Sequence, residues 1–282
     1  MARPLRLHLP GAFYHVVSRG NARQQIFDDS VDYQQFLRRL EPALTRGHLT
    51  CVAYCLMPNH VHLLVEAGEI PVSRPMQQLL SSYAQGFNRR YQRVGHVFQG
   101  RFKSLLVDTE EYLLAAVRYI VHNPVEAGLV REPAGWEWSS YRATAGQVPV
   151  PAFMDVQIVY DSLAGEPGAE SAHRFTRFIE GPEPVQEPRG PLFLGSRALA
   201  TRLAPHLEPL RDDVELVRAE RFAARPALDE VLAGATGAGP LDWCMHEAFW
   251  RHGYSLREIA DWLDLHPSTV WRRIRGVPGV RS

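Results

Sequence analysis

The sequence predicts an α+β protein: a ferredoxin-like, split βαβ antiparallel sheet with flanking helices, followed by an all-helical C-terminal region. Three observations carry this prediction. As far as residue 123, strand-like and helix-like runs follow one another in the order β-α-β-β-α-β-α, which is a split βαβ sheet with one added helix. Residues 181–191 then hold four prolines in eleven positions and read as a stiff, extended connector. Past residue 240 the signals are those of short capped helices joined by a tight turn.

Phe13 to Ser18 is rich in aromatic and β-branched residues and reads as the first strand. Asp29 to Arg46 carries Val31, Tyr33, Phe36, Leu37 and Leu40 at helical spacing, with Gly47 as the stop. Thr50 to Leu56 and His60 to Glu66 are short strands joined by the turn Met57-Pro58-Asn59. Ser73 to Arg93 is a second helix, and Ser104 to Val107 a further strand. Asp108, Thr109, Glu110 and Glu111 place acceptors and negative charge at the start of a helix that runs to about Asn123, where Pro124 ends it. Two short helices are expected next, about Val156 to Ala164 and Ala169 to Glu180. Residues 193–235 read as helical with an acidic excess, and Gly234 to Gly239 as a flexible joint. The domains so drawn are 1–181, 182–239 and 240–282.

Composition bounds the function. At 282 residues, 45% hydrophobic and 22% charged, the chain is of ordinary globular make-up and long enough for two domains, which excludes a wholly disordered protein. No run approaches the roughly 18 apolar residues of a membrane span, and the start lacks an apolar signal core, so no membrane partner is expected. Cys51, Cys55 and Cys244 are too few and odd in number for a disulfide framework, which points to a reducing, cytoplasmic setting. The formal net charge of zero conceals segregation. Residues 1–150 carry 16 basic against 12 acidic side chains, 151–250 carry 9 against 16, and 251–282 carry 6 against 3. Between Arg74 and Val107 there are six basic residues and no acidic one, either a solvated helix face or a surface for an anionic polymer.

His60 and His62 are two apart in a strand and share a face, while Val61, Leu63 and Val65 point the other way. With about 6–7 Å between them along the backbone, the two imidazoles can converge on one metal ion; the other reading is a half-buried polar pair on a sheet. A zinc site built from Cys51, Cys55, His60 and His62 is rejected. Cysteines four apart on a strand are about 13 Å apart, and the gap from Cys55 to His60 is not a zinc-finger spacing, so both read as core residues. On the helix after Asp108, Leu113, Leu114, Val117, Ile120 and Val121 form one sector, and Tyr112, Ala116, Tyr119 and Asn123 another, roughly opposite. Tyr119 therefore stands off the main apolar stripe, with Asn123 one turn on. Two imidazoles, an amide and a phenol suit a divalent cation and a nucleophile. A free tyrosine titrates near about 10, so such a site needs proton removal, an activated electrophile, or both.

Four motifs occur in order: Met57-Pro58-Asn59-His60-Val61-His62-Leu63-Leu64-Val65, Phe98-Gln99-Gly100-Arg101-Phe102-Lys103, Tyr119-Ile120-Val121-His122-Asn123-Pro124, and Trp138-Ser139-Ser140-Tyr141. This series resembles the single-tyrosine HUH transposases, most closely the REP-associated tyrosine transposases, over about residues 8–181. Val61 is the large apolar residue between the two histidines of the HUH motif. The resemblance implies His60 and His62 as metal ligands, Asn123 as a third ligand where many relatives have Gln, and Tyr119 as the nucleophile. It further implies Mg²⁺- or Mn²⁺-assisted cleavage of single-stranded DNA, at hairpin-forming repeats, through a 5′-phosphotyrosine link. Under that reading Arg89, Arg90, Arg93, Arg101 and Lys103, interleaved with Phe87, Tyr91, Phe98 and Phe102, are phosphate contacts and stacking surfaces for unpaired DNA. His15, Arg19 and His122 are weaker candidates. Rival readings are a DNA-binding regulator with an idle nuclease site and a replication-initiator or relaxase-type HUH enzyme.

Near the C-terminus, Ser255 followed by Glu258 is a capping box, Asp264-Leu265-His266 a turn, and Pro267 a first helical residue. Leu256, Ile259, Ala260, Leu263, Val270 and Ile274 give the apolar face. The unit looks like a helix-turn-helix DNA-binding module, with Leu241 to Arg251 as the preceding helix; a helical protein-contact module is the alternative. Ser268, Thr269, Arg272 and Arg273 are its candidate DNA contacts, and duplex DNA its candidate partner. The chain is expected to act as a monomer or homodimer.

Overall fold

The computed structural model describes residues 7–108, 110–163, 169–182, 222–232 and 238–277, with positions 185, 193–194, 203, 205 and 207. The chain divides into two compact units, Arg6–Ser196 and Arg197–Ser282 with Met1–Leu5.

In the first unit, β1 (Phe13–Arg19), β2 (Leu49–Met57), β3 (His60–Ala67) and β4 (Lys103–Val107) form an antiparallel sheet, and β5 (Phe193–Leu194) adds a parallel edge on β4. The order is β2-β3-β1-β4-β5, which for the first four strands is the expected split βαβ arrangement. α1 (Ser30–Gly47) and α2 (Ser73–Arg90) pack on each other, and α3 (Glu110–Glu126) packs on β2, β3 and β4. Leu64, Cys55, Met57 and Val107 share a core with Leu113, Val117, Ile120 and Val121 of α3. The fifth strand was not expected. The proline-rich connector and the joint at 234–239 lie largely outside the described residues, and Phe193–Leu194 is a strand where helix was predicted.

Local chemistry explains the element ends. Asp29 caps α1 by accepting from the backbone N–H groups of Val31 and Asp32. Gly47 is the last helical residue and not the stop; His48 takes the left-handed cap at φ 52. A Cβ on Gly47 would stand 2.7 Å from the Pro75 ring, so the glycine is there for close approach of α1 to the start of α2. α2 ends at Arg90 instead of Arg93, with Gln92 at φ 51. α3 continues through Pro124 to Glu126, because a proline in the last turn removes only one N–H before the helix ends. Of the acceptors expected at its start, Thr109 lies outside the described residues.

The edge of β2 is covered by the chain after α3. The Leu56 N–H donates to Trp138 O at 2.9 Å, and the Ser140 N–H donates to Tyr54 O at 2.9 Å. Trp138 stacks on Tyr33 with 4.6 Å between ring centroids, and Tyr141 donates to Glu180 at 2.8 Å. The Trp-Ser-Ser-Tyr motif thus blunts a sheet edge and anchors α4 (Tyr141–Thr144), α5 (Gln157–Ser162) and α6 (Ala169–Glu180).

The second unit contains α7 (Leu228–Leu232), α8 (Ala238–Trp250), α9 (Leu256–Leu263) and α10 (Pro267–Arg275), closed on Met245, Ala248, Ile259, Ala260, Val270 and Ile274. Both halves of the capping box form: Ser255 Oγ accepts from the Glu258 N–H at 3.1 Å, and Glu258 Oε2 from the Ser255 N–H at 2.7 Å. Asp264 turns the chain at φ 53, and His266 caps α10 ahead of Pro267.

Candidate active site

The β2–β3 hairpin has a two-residue loop, Pro58-Asn59, with Met57 opposite His60. Pro58 O accepts from the Ile26 and Phe27 N–H groups, and Asn59 O from the Gly20 N–H. His60 is therefore the first residue of a strand whose turn is pinned on both sides. Sheet register then assembles the site. Arg19 of β1 pairs with His60, and Val17 pairs with both His62 and Lys103. With period-two alternation, His15, Arg19, His60, His62 and Lys103 all face α3.

The rings of His60 and His62 are 4.9 Å apart, and Tyr119 of α3 lies edge-on to His62 at 5.5 Å and to His15 at 6.0 Å. Asn123 is 9% exposed; its Nδ2 donates to Tyr119 O at 2.8 Å, and its side chain also hydrogen-bonds His60. All four predicted residues, His60, His62, Tyr119 and Asn123, come together on one face. Within that sector of α3 Ala116 is fully buried and Asn123 nearly so, whereas Tyr112 is exposed.

Electrostatics favour neutral imidazoles. Burial lowers His15 to about 4. Burial, then the Arg19 charge, lowers His60 to about 4 against a smaller raising effect of the Asn123 hydrogen bond. His62 falls well below its ordinary value through burial and then through His15, His60 and Arg19. His62, 3% exposed, has a buried Nε2 with no hydrogen-bond partner among the described residues. An orphaned imidazole nitrogen, with a second imidazole beside its ring and an amide bonded to that second imidazole, is a donor set that fits a divalent cation. Cys51 and Cys55 are buried free thiols whose titration burial pushes up, as core residues. Among the described residues no group of three or more His, Cys, Asp or Glu is arranged to hold a metal ion by itself; the third ligand candidate here is an amide.

The predicted DNA contacts divide. Arg101 is exposed at the rim of a groove of about 770 Å³ between α2 and residues 95–102, and Lys103 is exposed on the histidine face. Arg89 is exposed beside Arg39 on the α1–α2 side. Arg90 instead clamps α2 to the N-terminus of α1, through Asp29 at 2.5 Å and Asp32 at 2.6 Å. Arg93 donates to Gln24 at 2.7 Å and lies over Phe87. Phe87 and Phe102 are core residues and Phe98 is 9% exposed on the groove floor, so the aromatic interleaving mainly records packing of α2 against α1 and residues 97–102. His122 is structural, bonded to Ile179 O at 2.8 Å. In α10, Ser268 and Arg272 are exposed and Thr269 half-buried, whereas Arg273 is tied to Asp242 of α8 at 2.5 Å. Arg19 and His15, weaker candidates from the sequence, lie on the same face as His60 and His62, a placement set by strand register and not by spacing along the chain.

Residues 9–123 match the family model "Transposase IS200 like". A Haemophilus influenzae chain described as a REP-associated tyrosine transposase is 31% identical over 101 residues, which is 32% of this chain and 57% of that relative. The chain thus spans little more than half the length of that relative. A solved structure of a REP-associated tyrosine transposase bound to a REP hairpin overlays with TM-score 0.46 and 18% identity, over 55% of this chain and 92% of that one. A Deinococcus radiodurans transposase structure overlays with TM-score 0.31 and 20% identity, over 39% and 90%.

Proposed function

We propose that this chain, which resembles the REP-associated tyrosine transposases and carries an IS200-like transposase segment at residues 9–123, is a single-stranded DNA endonuclease and strand transferase acting at hairpin-forming repeats. The observation that carries this reading is the convergence of His60, His62, Asn123 and Tyr119 on one sheet face, flanked by Arg19 and Lys103.

His60, His62 and Asn123 would hold Mg²⁺ or Mn²⁺, which when bound withdraws charge from a non-bridging phosphate oxygen. The protein's own residues do the rest. The Tyr119 hydroxyl oxygen attacks phosphorus, the bond from phosphorus to the 3′-oxygen breaks, the phenol proton ends on that departing oxygen, and a 5′-phosphotyrosine and a free 3′-OH result. Attack by a second 3′-OH on that link re-forms a phosphodiester and returns the tyrosine. The bond count is conserved, so no nucleotide cofactor enters. Arg19 and Lys103 hold the strand's phosphates on the face where Tyr119 acts, and Arg101 extends that contact towards the α2 groove. Ser268, Thr269 and Arg272 of α10 offer the second unit two hydroxyls and one cation for contacts with duplex DNA.

The test is incubation of end-labelled, hairpin-flanked single strands from the chain's own genome with the protein and Mn²⁺. The expected result is cleavage leaving a free 3′-OH, lost on Tyr119→Phe and on chelation. Absence of metal-dependent cleavage by the wild type across such hairpins would refute the reading.

A further inference from the structure

The geometry points to His15 as a positioning residue, one that accepts the Nδ1 proton of His62 and so leaves the His62 Nε2 lone pair directed into the site. The inference rests on the metal-site reading above and adds to it how that site is set.

His15 Nε2 lies 2.9 Å from His62 Nδ1, the bond is buried, and the two rings are stacked with centroids 5.1 Å apart and planes 22° from parallel. One of the two nitrogens must be the donor. If His15 donated, His62 would carry its proton on Nε2, and a ligand nitrogen would be blocked by an N–H. If His62 donates, its Nε2 is an unprotonated acceptor, and this is the atom left buried without a partner among the described residues. Only the second arrangement makes the orphan useful, because a ring nitrogen binds a cation through its lone pair, and the hydrogen bond on the other nitrogen decides which one is bare.

A parallel arrangement exists on the neighbouring ligand. Asn59 Oδ1 is 2.6 Å from His60 Nδ1, and the amide is oriented by its own Nδ2 donating to Arg23 O at 3.3 Å. An amide oxygen only accepts, so His60 Nδ1 is the donor there. The hairpin turn thus sets His60 locally, while His62, one step deeper, is set from the adjacent strand by a residue 47 positions away in sequence. His15 also places its ring edge-on to Tyr119, which fixes the lateral position of both groups.

The experiment reads the tautomer directly. Full-length, metal-free protein labelled with ¹⁵N-histidine is examined by long-range ¹H–¹⁵N correlation, with His62 assigned from His62→Asn. The expected spectrum has His62 protonated on Nδ1. In His15→Phe that pattern is lost, and Mn²⁺ affinity measured without DNA falls roughly 10–100-fold. In His15→Gln, whose amide oxygen can accept in place of the imidazole, affinity recovers most of that loss. A wild-type His62 protonated on Nε2 overturns the inference, even if neither His15 variant folds. Unchanged Mn²⁺ affinity in His15→Phe overturns it as well. Should the wild type cleave no DNA, the function proposed above fails, while the tautomer still decides the role of His15.

Discussion

Burial governs the residues of the histidine cluster, and its consequence is a pH window. His15 and His60 titrate near about 4 in the folded chain, against 6.5 when free. Between these values the unfolded chain binds more protons than the folded one, so stability is complete above about 6.5 and is lost as pH falls towards 4. The melting temperature of the metal-free protein is expected to drop across that interval, with a shallower drop in His15→Phe; a flat profile from pH 7 to 4 would contradict the burial argument. Arg90 makes a second residue-scale case. Its charge is spent on Asp29, whose carboxyl it holds below the usual carboxylate range, and on the buried Asp32. Arg90→Ala should lower the urea midpoint by leaving the buried Asp32 without its charged partner. It should leave the salt dependence of DNA binding nearly unaltered, whereas Lys103→Ala should reduce that slope by close to one phosphate contact. The sequence shows which residues are basic, but not which are already paired, because Arg90 and Asp29 are 61 positions apart.

At the scale of elements, period and spacing made much of the site legible. Alternation put His60 and His62 on one face, the i,i+4 relation joined Tyr119 to Asn123, and the hairpin turn fixed where the strand begins. Strand register was not legible, and register is what brings His15, Arg19 and Lys103 to the same face. β5 was missed for a similar reason: two residues pairing with β4 from a position past 190 leave no periodic trace. Local contacts set the remaining element ends. Gly47→Val would drive side-chain atoms into Pro75 where the helices approach, at a cost of about 1–3 kcal/mol measured by denaturant unfolding. Ser255→Ala removes one half of the capping box that starts α9 and should cost about 0.5–2 kcal/mol.

At the scale of the whole molecule, a formal charge of zero is the sum of two basic ends and an acidic middle. The two compact units each close on their own buried cluster, so calorimetry should show two transitions, and Ser255→Ala should move only one of them. Among the described residues no helix is long and apolar enough to cross a membrane. The proposed chemistry turns on a single oxygen atom, the phenol of Tyr119. The most direct measurement of it is mass spectrometry of the denaturant-stable adduct formed when the full-length protein, Mn²⁺ and a hairpin-flanked single strand are mixed and then digested with trypsin and nuclease. One nucleotide-bearing peptide is expected, with the phosphate linked to Tyr119 and absent in Tyr119→Phe. An adduct on another residue, or cleavage that persists in Tyr119→Phe, would contradict it.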